Sequence, residues 1–164
     1  KTKLEALCGN GVGLASAVLG AESGRAVTFY EMETGSSYFE ERSNAPRKAN
    51  TYTTDTLDNV AAGMAGPLFL KIDVQGAELE VLKGGEETLK RCELVQLEVA
   101  MLPYNKGAPT FFEVLSYMDE SDFVPLDVSG FSRPNDVDLV QIDMLFVRRD
   151  SSLRPTFIEF PQHR

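Results

Sequence analysis

Runs of apolar residues and the polar stretches between them predict short strands near the start of the chain. Leu14–Leu19 is small and apolar, and Ala26–Tyr30 is the next apolar run. Gly20 and Gly24 lie between the two runs, a pattern that predicts two strands joined as a hairpin. Residues 34–50 are polar and rich in glycine, serine and charge. They predict a long loop, and loops of this length in compact domains are usually functional or disordered.

The middle of the chain predicts strands and helices in alternation. Short apolar runs mark the strands, and apolar residues at helical spacing mark the helices. In chain order these elements are a strand over 51–54, a helix from Asp55 or Thr56 to Ala62, a buried strand over 68–74, a helix over 77–90 and a strand over 94–100. Such alternation is typical of a parallel sheet with right-handed crossovers. A further helix is predicted over residues 2–8.

The last third of the chain predicts one helix and two paired strands. Thr110 and Glu113 have the spacing of a capping box, which opens a helix. Residues 123–128 and 139–148 are the last apolar runs, and no helical pattern separates them. They therefore predict an antiparallel hairpin. The whole pattern predicts a single α/β domain, with a mostly parallel sheet that ends in a C-terminal antiparallel hairpin.

Composition and charge restrict the classes of function. The chain has 164 residues, enough for one domain with a buried core. Its net charge of −9 argues against general nucleic-acid binding, because phosphate contacts need clustered lysine and arginine. No apolar run approaches the ~20 residues that span a bilayer, and the first residues lack a signal-peptide layout. We therefore expect a cytoplasmic protein without membrane or nucleic-acid partners.

Cysteine and histidine are too sparse for several kinds of site. Cys8 and Cys92 are far apart, so two thiols in a reducing compartment are expected rather than a disulfide framework. His163 is the single histidine. One histidine makes a zinc site or a Ser/His triad an unconvincing prediction.

Asp73 is the strongest candidate for chemistry. It follows the apolar run 68–72, and Gly76 after it permits a sharp turn before the next helix. In open α/β sheets, the carboxyl end of a buried strand lies where ligands bind. A carboxylate there can take up the proton of a hydroxyl group. The alternative is structural: Asp73 and Glu78 would favour the start of the helix by roughly 0.3–1 kcal/mol.

Glu98 is the second candidate carboxylate. It alternates with Gln96 in the apolar run 94–100, and adjacent parallel strands would bring it to the same sheet edge as Asp73. Two close carboxylates either raise one pKa, which gives a base, or share a divalent cation such as Mg²⁺. No third oxygen ligand is evident by spacing, so a shared cation is the weaker of these two alternatives. The alternative is an outward-facing glutamate in an edge strand.

Three loops offer weaker candidates. Thr34–Ser37 can bind an anion or a hydroxylated ligand, or form an ordinary turn. Leu102–Pro109 follows the Glu98 strand and is either an acceptor-binding loop, through Tyr104 and Asn105, or a plain connection. Gly9–Gly13 is glycine-rich, with Glu31 and Glu33 at about the distance of an acidic ribose ligand. A lone glycine-rich run is weak evidence for a nucleotide-binding loop.

Several stretches together resemble the FkbM family of S-adenosylmethionine-dependent methyltransferases. The most specific is Lys71-Ile-Asp-Val-Gln-Gly-Ala-Glu78 with Leu82-Lys-Gly84. Shorter supporting stretches are Ala17-Val-Leu-Gly20, Gly24-Arg-Ala-Val-Thr-Phe-Tyr30, Thr34-Gly-Ser-Ser37, Thr56-Leu-Asp58, Gln96-Leu-Glu-Val99 and Gln141-Ile-Asp-Met-Leu-Phe-Val147. The resemblance covers most of the chain.

The resemblance implies a Rossmann-like methyltransferase sheet and O-methylation of a sugar, polyketide or other small hydroxylated acceptor. The site that it implies has Asp73 and Glu98 as catalytic residues, Ser36, Ser37 and Gln75 as contacts of S-adenosylmethionine, and Glu78, Tyr104 and Asn105 as contacts of the acceptor. Aligned on residues 17–30, the chain starts after the first strands of the family's domain, which hold the cofactor. We therefore expect an N-terminally truncated domain whose activity as given is weak or absent.

Two alternatives to a methyltransferase remain. A non-catalytic, methyltransferase-like module would self-associate as a homodimer through an open sheet edge. A different α/β enzyme would instead hold a nucleotide at Gly9–Gly13.

Overall fold

The computed structural model describes residues 12–32, 35–42 and 44–155, which form two mixed β-sheets and four helices. The elements in chain order are β1 (Val18–Leu19), β2 (Ala26–Glu31), β3 (Lys48–Asp55), α1 (Leu57–Val60), β4 (Leu68–Ile72), α2 (Glu78–Lys83), α3 (Glu86–Leu89), β5 (Cys92–Ala100), α4 (Phe111–Glu120), β6 (Phe123–Ser132) and β7 (Gln141–Arg148). The predicted helix over 2–8 lies outside the described residues, as do Gly9 and Glu33.

The small sheet has the strand order β1-β3-β2, so the predicted hairpin of β1 with β2 is wrong. β3 lies between them, parallel to β1 and antiparallel to β2. Its threonines and tyrosine suit a strand, although the segment before it is polar. Thr54 also secures the turn between β1 and β2, because its hydroxyl donates to the carbonyl oxygen of Glu22 at 2.6 Å. These long-range contacts outweigh the local turn signal.

The large sheet has the strand order β4-β5-β7-β6. Only β4 and β5 are parallel, while β5–β7 and β7–β6 are antiparallel. The prediction of a mostly parallel sheet is therefore wrong, and the predicted C-terminal hairpin is confirmed. The physical reason is the position of β7, which returns from β6 and pairs with β5 on its other side. A single helical crossover thus connects the one parallel pair of this sheet.

The helix predicted over 77–90 is two helices, α2 and α3, with Gly84 and Gly85 between them. A Cβ atom on Gly84 would lie 2.1 Å from the carbonyl oxygen of Gly20, so the backbone before β2 packs directly on this break. Asp58 then accepts hydrogen bonds from the backbone N–H groups of Glu87 and Thr88, at 3.1 and 2.7 Å. These contacts satisfy the first turn of α3 as a cap does.

The core lies between the large sheet and its helices. It includes Val95, Leu97 and Val99 of β5, Leu82 of α2, Met118 of α4 and Phe146 of β7. The prediction that β4 is buried on both faces is wrong. Ile72 is buried, whereas Phe69 is 60% exposed and Lys71 is also exposed. β4 therefore alternates like a strand with one solvent-facing side, and Lys71 projects on the same side as Asp73.

A strap of residues 35–42 crosses from the small sheet to the loop after β5. The backbone of Ser37 pairs with Tyr30, and Glu41 forms a β-bridge with Asn105. Two further backbone bonds join the strap to Tyr104 and Lys106. Part of the predicted long loop is therefore paired, and it passes beside the carboxyl ends of β4 and β5.

Two predicted helix starts are confirmed. Thr56 caps α1 and accepts a hydrogen bond from the N–H of Asn59. Thr110 and Glu113 form the capping box of α4, since each side chain bonds to the backbone N–H of the other. Among the helices of the described ranges, none has the length and apolar character needed to cross a membrane.

Candidate active site

The carboxylates of Asp73 and Glu98 lie side by side, where β4 ends against β5. β4 and β5 are parallel, with Ile72 opposite Leu97, so the next position along each strand places Asp73 beside Glu98. Asp73 is exposed and Glu98 is half-buried. The arrangement puts two acids in different surroundings only a short distance apart.

Gln75 joins the two carboxylates. Its side-chain Nε2 donates to Asp73 Oδ1 at 3.1 Å and to Glu98 Oε1 at 2.6 Å. Lys71 Nζ lies 2.9 Å from the other oxygen of Asp73 and forms an ion pair with it. One amide thus holds both acids, and one cation is paired with the more exposed acid.

These surroundings separate the pKa values of the two acids. The hydrogen bond from Lys71 lowers the pKa of Asp73 below its ordinary value, with a smaller contribution from Gln75. Burial and the negative charge of Asp73 raise the pKa of Glu98 to about 7, against the opposing hydrogen bond from Gln75. Near neutral pH, Asp73 is ionised and Glu98 exchanges a proton readily. Pairs separated in this way are typical of acid–base sites.

The turn between β4 and α2 determines where Gln75 points. Gln75 and Gly76 both have positive φ, at 53° and 98°. Such a φ is uncommon for a residue with a side chain. Glu78 accepts the N–H of Gly76 at 3.0 Å and is only 3% exposed, and burial raises its pKa. The buried carboxylate of Glu78 therefore stabilises the backbone of this turn through a hydrogen bond.

A cavity of about 260 Å³ adjoins Asp73. Apolar side chains form most of its wall, and Ser36 and Tyr38 contribute hydroxyl-bearing side chains. The hydroxyl of Ser36 is bonded to both backbone groups of Met32, at 2.8 and 2.9 Å. Pockets for drug-sized ligands measure about 300–1,000 Å³. The cavity is therefore smaller than a typical pocket for a whole drug-sized ligand.

A second cavity, of about 540 Å³, adjoins the first through Tyr38, which lines both. Arg25, Tyr30, Phe39 and Glu80 also line this second cavity. The hydroxyl of Tyr38 is buried without a hydrogen-bond partner, and burial raises its pKa. Across the two cavities, the walls offer both apolar surface and charged groups.

Three further predicted ligand contacts are hydrogen-bonded within the protein. Ser37 is 1% exposed, and its hydroxyl accepts the N–H of Phe39 at 3.0 Å. Asn105 is 5% exposed, and its Nδ2 donates to the carbonyl oxygen of Gln75 at 2.8 Å. Tyr104 donates its hydroxyl to Gln141 at 3.2 Å. Their predicted roles as ligand contacts stay predictions.

The sequence interpretation missed Lys71 and Asp143 as parts of the site. Lys71 is two residues before Asp73, so the strand period of two already placed both on one face. Asp143 lies opposite Glu98 in the β5–β7 register and contributes to the raised pKa of Glu98. The sequence alone does not place Asp143 next to Glu98, because the strand that pairs with β7 depends on the strand order. Within the described residues, no group of three His, Cys, Asp or Glu side chains could hold a metal ion.

Comparison with known families gives one match. The sequence profile described as Methyltransferase FkbM domain matches residues 1–125, more than half of the 164 residues. Searches of curated proteins and of solved structures gave no match. The matched range contains β4 and β5, and therefore both Asp73 and Glu98. With this match over most of its length, the chain belongs to the FkbM methyltransferase family.

Proposed function

We propose that the protein is an S-adenosylmethionine-dependent O-methyltransferase for a small hydroxylated acceptor, such as a sugar or a polyketide. The observation that carries the proposal is the pair of Asp73 and Glu98, joined by Gln75 at the end of β4. Membership of a methyltransferase family supports the reaction class. A carboxylate whose pKa is about 7 supports proton removal from a hydroxyl at neutral pH.

Glu98 is the general base in this proposal. Its carboxylate accepts the proton of the acceptor hydroxyl, while Asp73 stays ionised and keeps the pKa of Glu98 high. Lys71 balances the charge of Asp73. S-adenosylmethionine, when bound, supplies an electrophilic methyl group on a sulfonium sulfur. The acceptor oxygen gains the methyl group, Glu98 holds the proton, and S-adenosylhomocysteine is released.

The cavity beside Asp73 is the place proposed for the reacting ends of the two ligands. Apolar side chains line this cavity next to the carboxylate, and the second cavity, with which it shares Tyr38 as a wall residue, is the place proposed for the remainder of a ligand. Ser36 lines the first cavity, which supports its predicted cofactor role. Apolar surroundings of this kind strengthen the electrostatic contacts inside a site.

The first test is calorimetric titration of the 164-residue chain with S-adenosylhomocysteine. Saturable binding in the micromolar range would support the proposal and would show that the chain as given holds a cofactor site, against the expectation from the sequence. Asp73→Ala should remove methyl transfer to a panel of hydroxylated acceptors, and circular dichroism should show that the variant folds. A folded wild-type chain that releases no heat with S-adenosylhomocysteine and forms none from S-adenosylmethionine would contradict the proposal.

A non-catalytic module that self-associates is the second candidate function. One observation favours it: among the described residues, β4 pairs only with β5, so its other edge offers unpaired backbone groups. Phe69 on this strand is 60% exposed. Exposed strand edges promote pairing with another chain. Under this candidate function, the chain would form dimers and would not respond to S-adenosylhomocysteine.

A further inference from the structure

We propose that Asn105 is a positioning residue of the candidate site. It holds the Gln75–Gly76 turn in the conformation in which the Gln75 side chain joins Asp73 to Glu98. Asn105 acts through Gln75 and touches neither carboxylate in this role. The kinetic part of the inference rests on the proposed function, whereas the structural part does not.

The contact between Asn105 and the turn is direct and buried. Asn105 Nδ2 donates to the carbonyl oxygen of Gln75 at 2.8 Å. The side chain is only 5% exposed, so water does not compete freely for this hydrogen bond. The same residue, Gln75, sends its own amide to Asp73 and to Glu98. One residue thus separates Asn105 from the two acids.

The turn needs such a restraint because of its backbone conformation. The φ of Gln75 is 53°, which a residue with a Cβ atom adopts at a cost. Strained backbone conformations persist only where their surroundings enforce them. A Cβ atom on Gly76 would lie 2.9 Å from Ala108 Cβ and 3.1 Å from Asn105 Nδ2. The loop that contains Asn105 therefore packs tightly against the turn.

Asn105 also leaves one of its own groups unsatisfied. Its Oδ1 is buried and has no hydrogen-bond partner among the residues that the structure describes. A buried carbonyl without a partner costs free energy, so this amide is a poor choice for stability alone. The amide is instead oriented so that its Nδ2 donates to the carbonyl oxygen of Gln75, and this orientation leaves Oδ1 unpaired. The orphaned oxygen and the bond to Gln75 both follow from one orientation of the amide.

The backbone of Asn105 is fixed in turn by the strap. Asn105 forms a β-bridge with Glu41, and the next residue, Lys106, donates its N–H to the carbonyl oxygen of Glu40 at 2.9 Å. The strap therefore holds Asn105, Asn105 bonds to Gln75, and Gln75 bonds to Glu98. This chain of contacts connects the small sheet to the proposed base.

Loss of the restraint should change how Glu98 titrates. Without Asn105, the Gln75 turn can leave its positive φ, and its amide moves away from Glu98. The hydrogen bond from Gln75 lowers the pKa of Glu98, so its loss raises that pKa further. The other charged or titratable groups that act on Glu98 are Lys71, Asp73, Asp143, Glu78 and Tyr104. Of these, Asp73 and Glu78 also accept hydrogen bonds from the turn.

Asn105→Leu is the decisive variant, because leucine has the same number and branching of side-chain heavy atoms and no hydrogen-bond donor. The test is an NMR titration of the Glu98 side-chain carboxyl carbon in the variant and the wild type. We expect the midpoint to rise by about half a pH unit or more in the variant. Lys106→Ala is the matched control, since it removes an exposed ion pair of the same loop with Glu40 and should leave the midpoint unchanged. A folded Asn105→Leu variant with the wild-type midpoint would overturn the inference.

A measurement on the wild-type chain covers the case in which the variant does not fold. The side-chain amide signals of Gln75 and Asn105 should both shift with pH at the midpoint of Glu98. The Asn105 amide protons should also exchange slowly with solvent. Fast exchange, or an Asn105 signal that ignores this midpoint, would count against the positioning role.

The kinetic readout separates this inference from the proposed function. We expect Asn105→Leu to reduce kcat at pH 7 with little change in KM, and higher pH should restore much of the rate. If Glu98 shifts in the titration but no S-adenosylhomocysteine forms even in the wild type, the positioning role stands and the methyltransferase proposal fails. If the wild type is active and the midpoint of Glu98 does not shift in the variant, the methyltransferase proposal stands and the positioning role fails.

Discussion

Glu98 and Asp73 differ at the scale of single residues because their neighbours differ. Asp73 is exposed and paired with Lys71, so it keeps its charge. Glu98 is half-buried and faces that charge, which raises its pKa to about 7. Gln75 donates to both and keeps the pair together. Burial therefore contributes most to the proton affinity of Glu98, and the charge of Asp73 adds to it.

Glu98→Gln should abolish proton removal without loss of folding. Glutamine has the same shape as glutamate but cannot accept the proton. General-base catalysis typically contributes 10²- to 10⁴-fold, so kcat/KM should fall by about that factor. In the wild type, the rate should rise with pH through about 7, as Glu98 ionises. Formation of S-adenosylhomocysteine, measured from pH 5 to 9, checks both statements, and a variant that keeps the wild-type rate would exclude Glu98 as the base.

The raised pKa of Glu98 also makes stability depend on pH. The folded state binds the Glu98 proton more tightly than the unfolded chain, whose glutamate has the ordinary pKa of 4.5. The stabilising contribution is therefore complete below pH 4.5 and is lost as the pH rises through about 7. Glu98→Gln should fall less in Tm than the wild type between pH 5 and 8. Thermal unfolding of both proteins across this range is the measurement, and parallel curves would contradict the assigned shift.

Asp73→Asn should lower the pKa of Glu98. The substitution removes the negative charge beside Glu98, and that charge helps to raise its pKa. Asparagine keeps the shape of the side chain and an oxygen that can accept from Gln75. An NMR titration of Glu98 in the variant should give a midpoint below that of the wild type. A midpoint that stays near 7 would mean that burial alone sets the pKa.

The break between α2 and α3 matters most at the scale of elements. Gly84 and Gly85 allow the chain before β2 and the side chain of Leu57 to pack against the helices. The carbonyl oxygen of Gly20 occupies the space that a side chain on Gly84 would need. The small sheet thus approaches the helical layer of the large sheet closely at a glycine, and Leu19 of β1 adds side-chain packing against the core.

Gly84→Ala should destabilise the fold. The φ of Gly84 is −79°, which suits alanine, so the cost comes from the close approach of Gly20 alone. Overpacking of this kind typically costs about 1–3 kcal/mol in the free energy of unfolding. Gly63→Ala is the control, because no atom lies within 4 Å of the added Cβ. Urea denaturation should give a lower midpoint for Gly84→Ala than for Gly63→Ala. Equal midpoints would show that the backbone at Gly20 moves aside at little cost in free energy.

At the scale of the whole molecule, the two sheets meet at the candidate site. The strap from the small sheet is paired with the loop after β5, and the cavity beside Asp73 has walls from both sheets. The site therefore depends on the docking of one sheet against the other. The unpaired edge of β4 lies beside this junction, since Asp73 directly follows that strand.

The open edge of β4 should allow weak self-association. Phe69 is 60% exposed on this strand, and an exposed apolar edge favours pairing with a second copy. Light scattering should show a mass that increases with protein concentration, and Phe69→Lys should reduce the increase. Phe112→Lys is the control, because Phe112 is also exposed, at 76%, but lies on α4. A constant monomeric mass in the wild type would contradict the prediction.

Sequence alone determined the features that depend on neighbours along the chain. The capping residues Thr56 and Thr110, the strand that leads to Asp73 and the strand that carries Glu98 follow from local periodicity and capping chemistry, although the first strand ends two residues earlier than predicted. The family resemblance rested on such local stretches as well, above all on Lys71–Glu78, and the family match supports it.

Only the tertiary structure decided the features that depend on contacts between distant residues. The insertion of β3 between β1 and β2, the solvent-facing side of β4 and the antiparallel pairing of β5 with β7 are of this kind. So are the two hydrogen bonds from Gln75 and the inward turn of Asn105. Strand periodicity assigns a residue to a face but does not name the strand that pairs with it. Burial, and with it the pKa of Glu98, follows from that pairing.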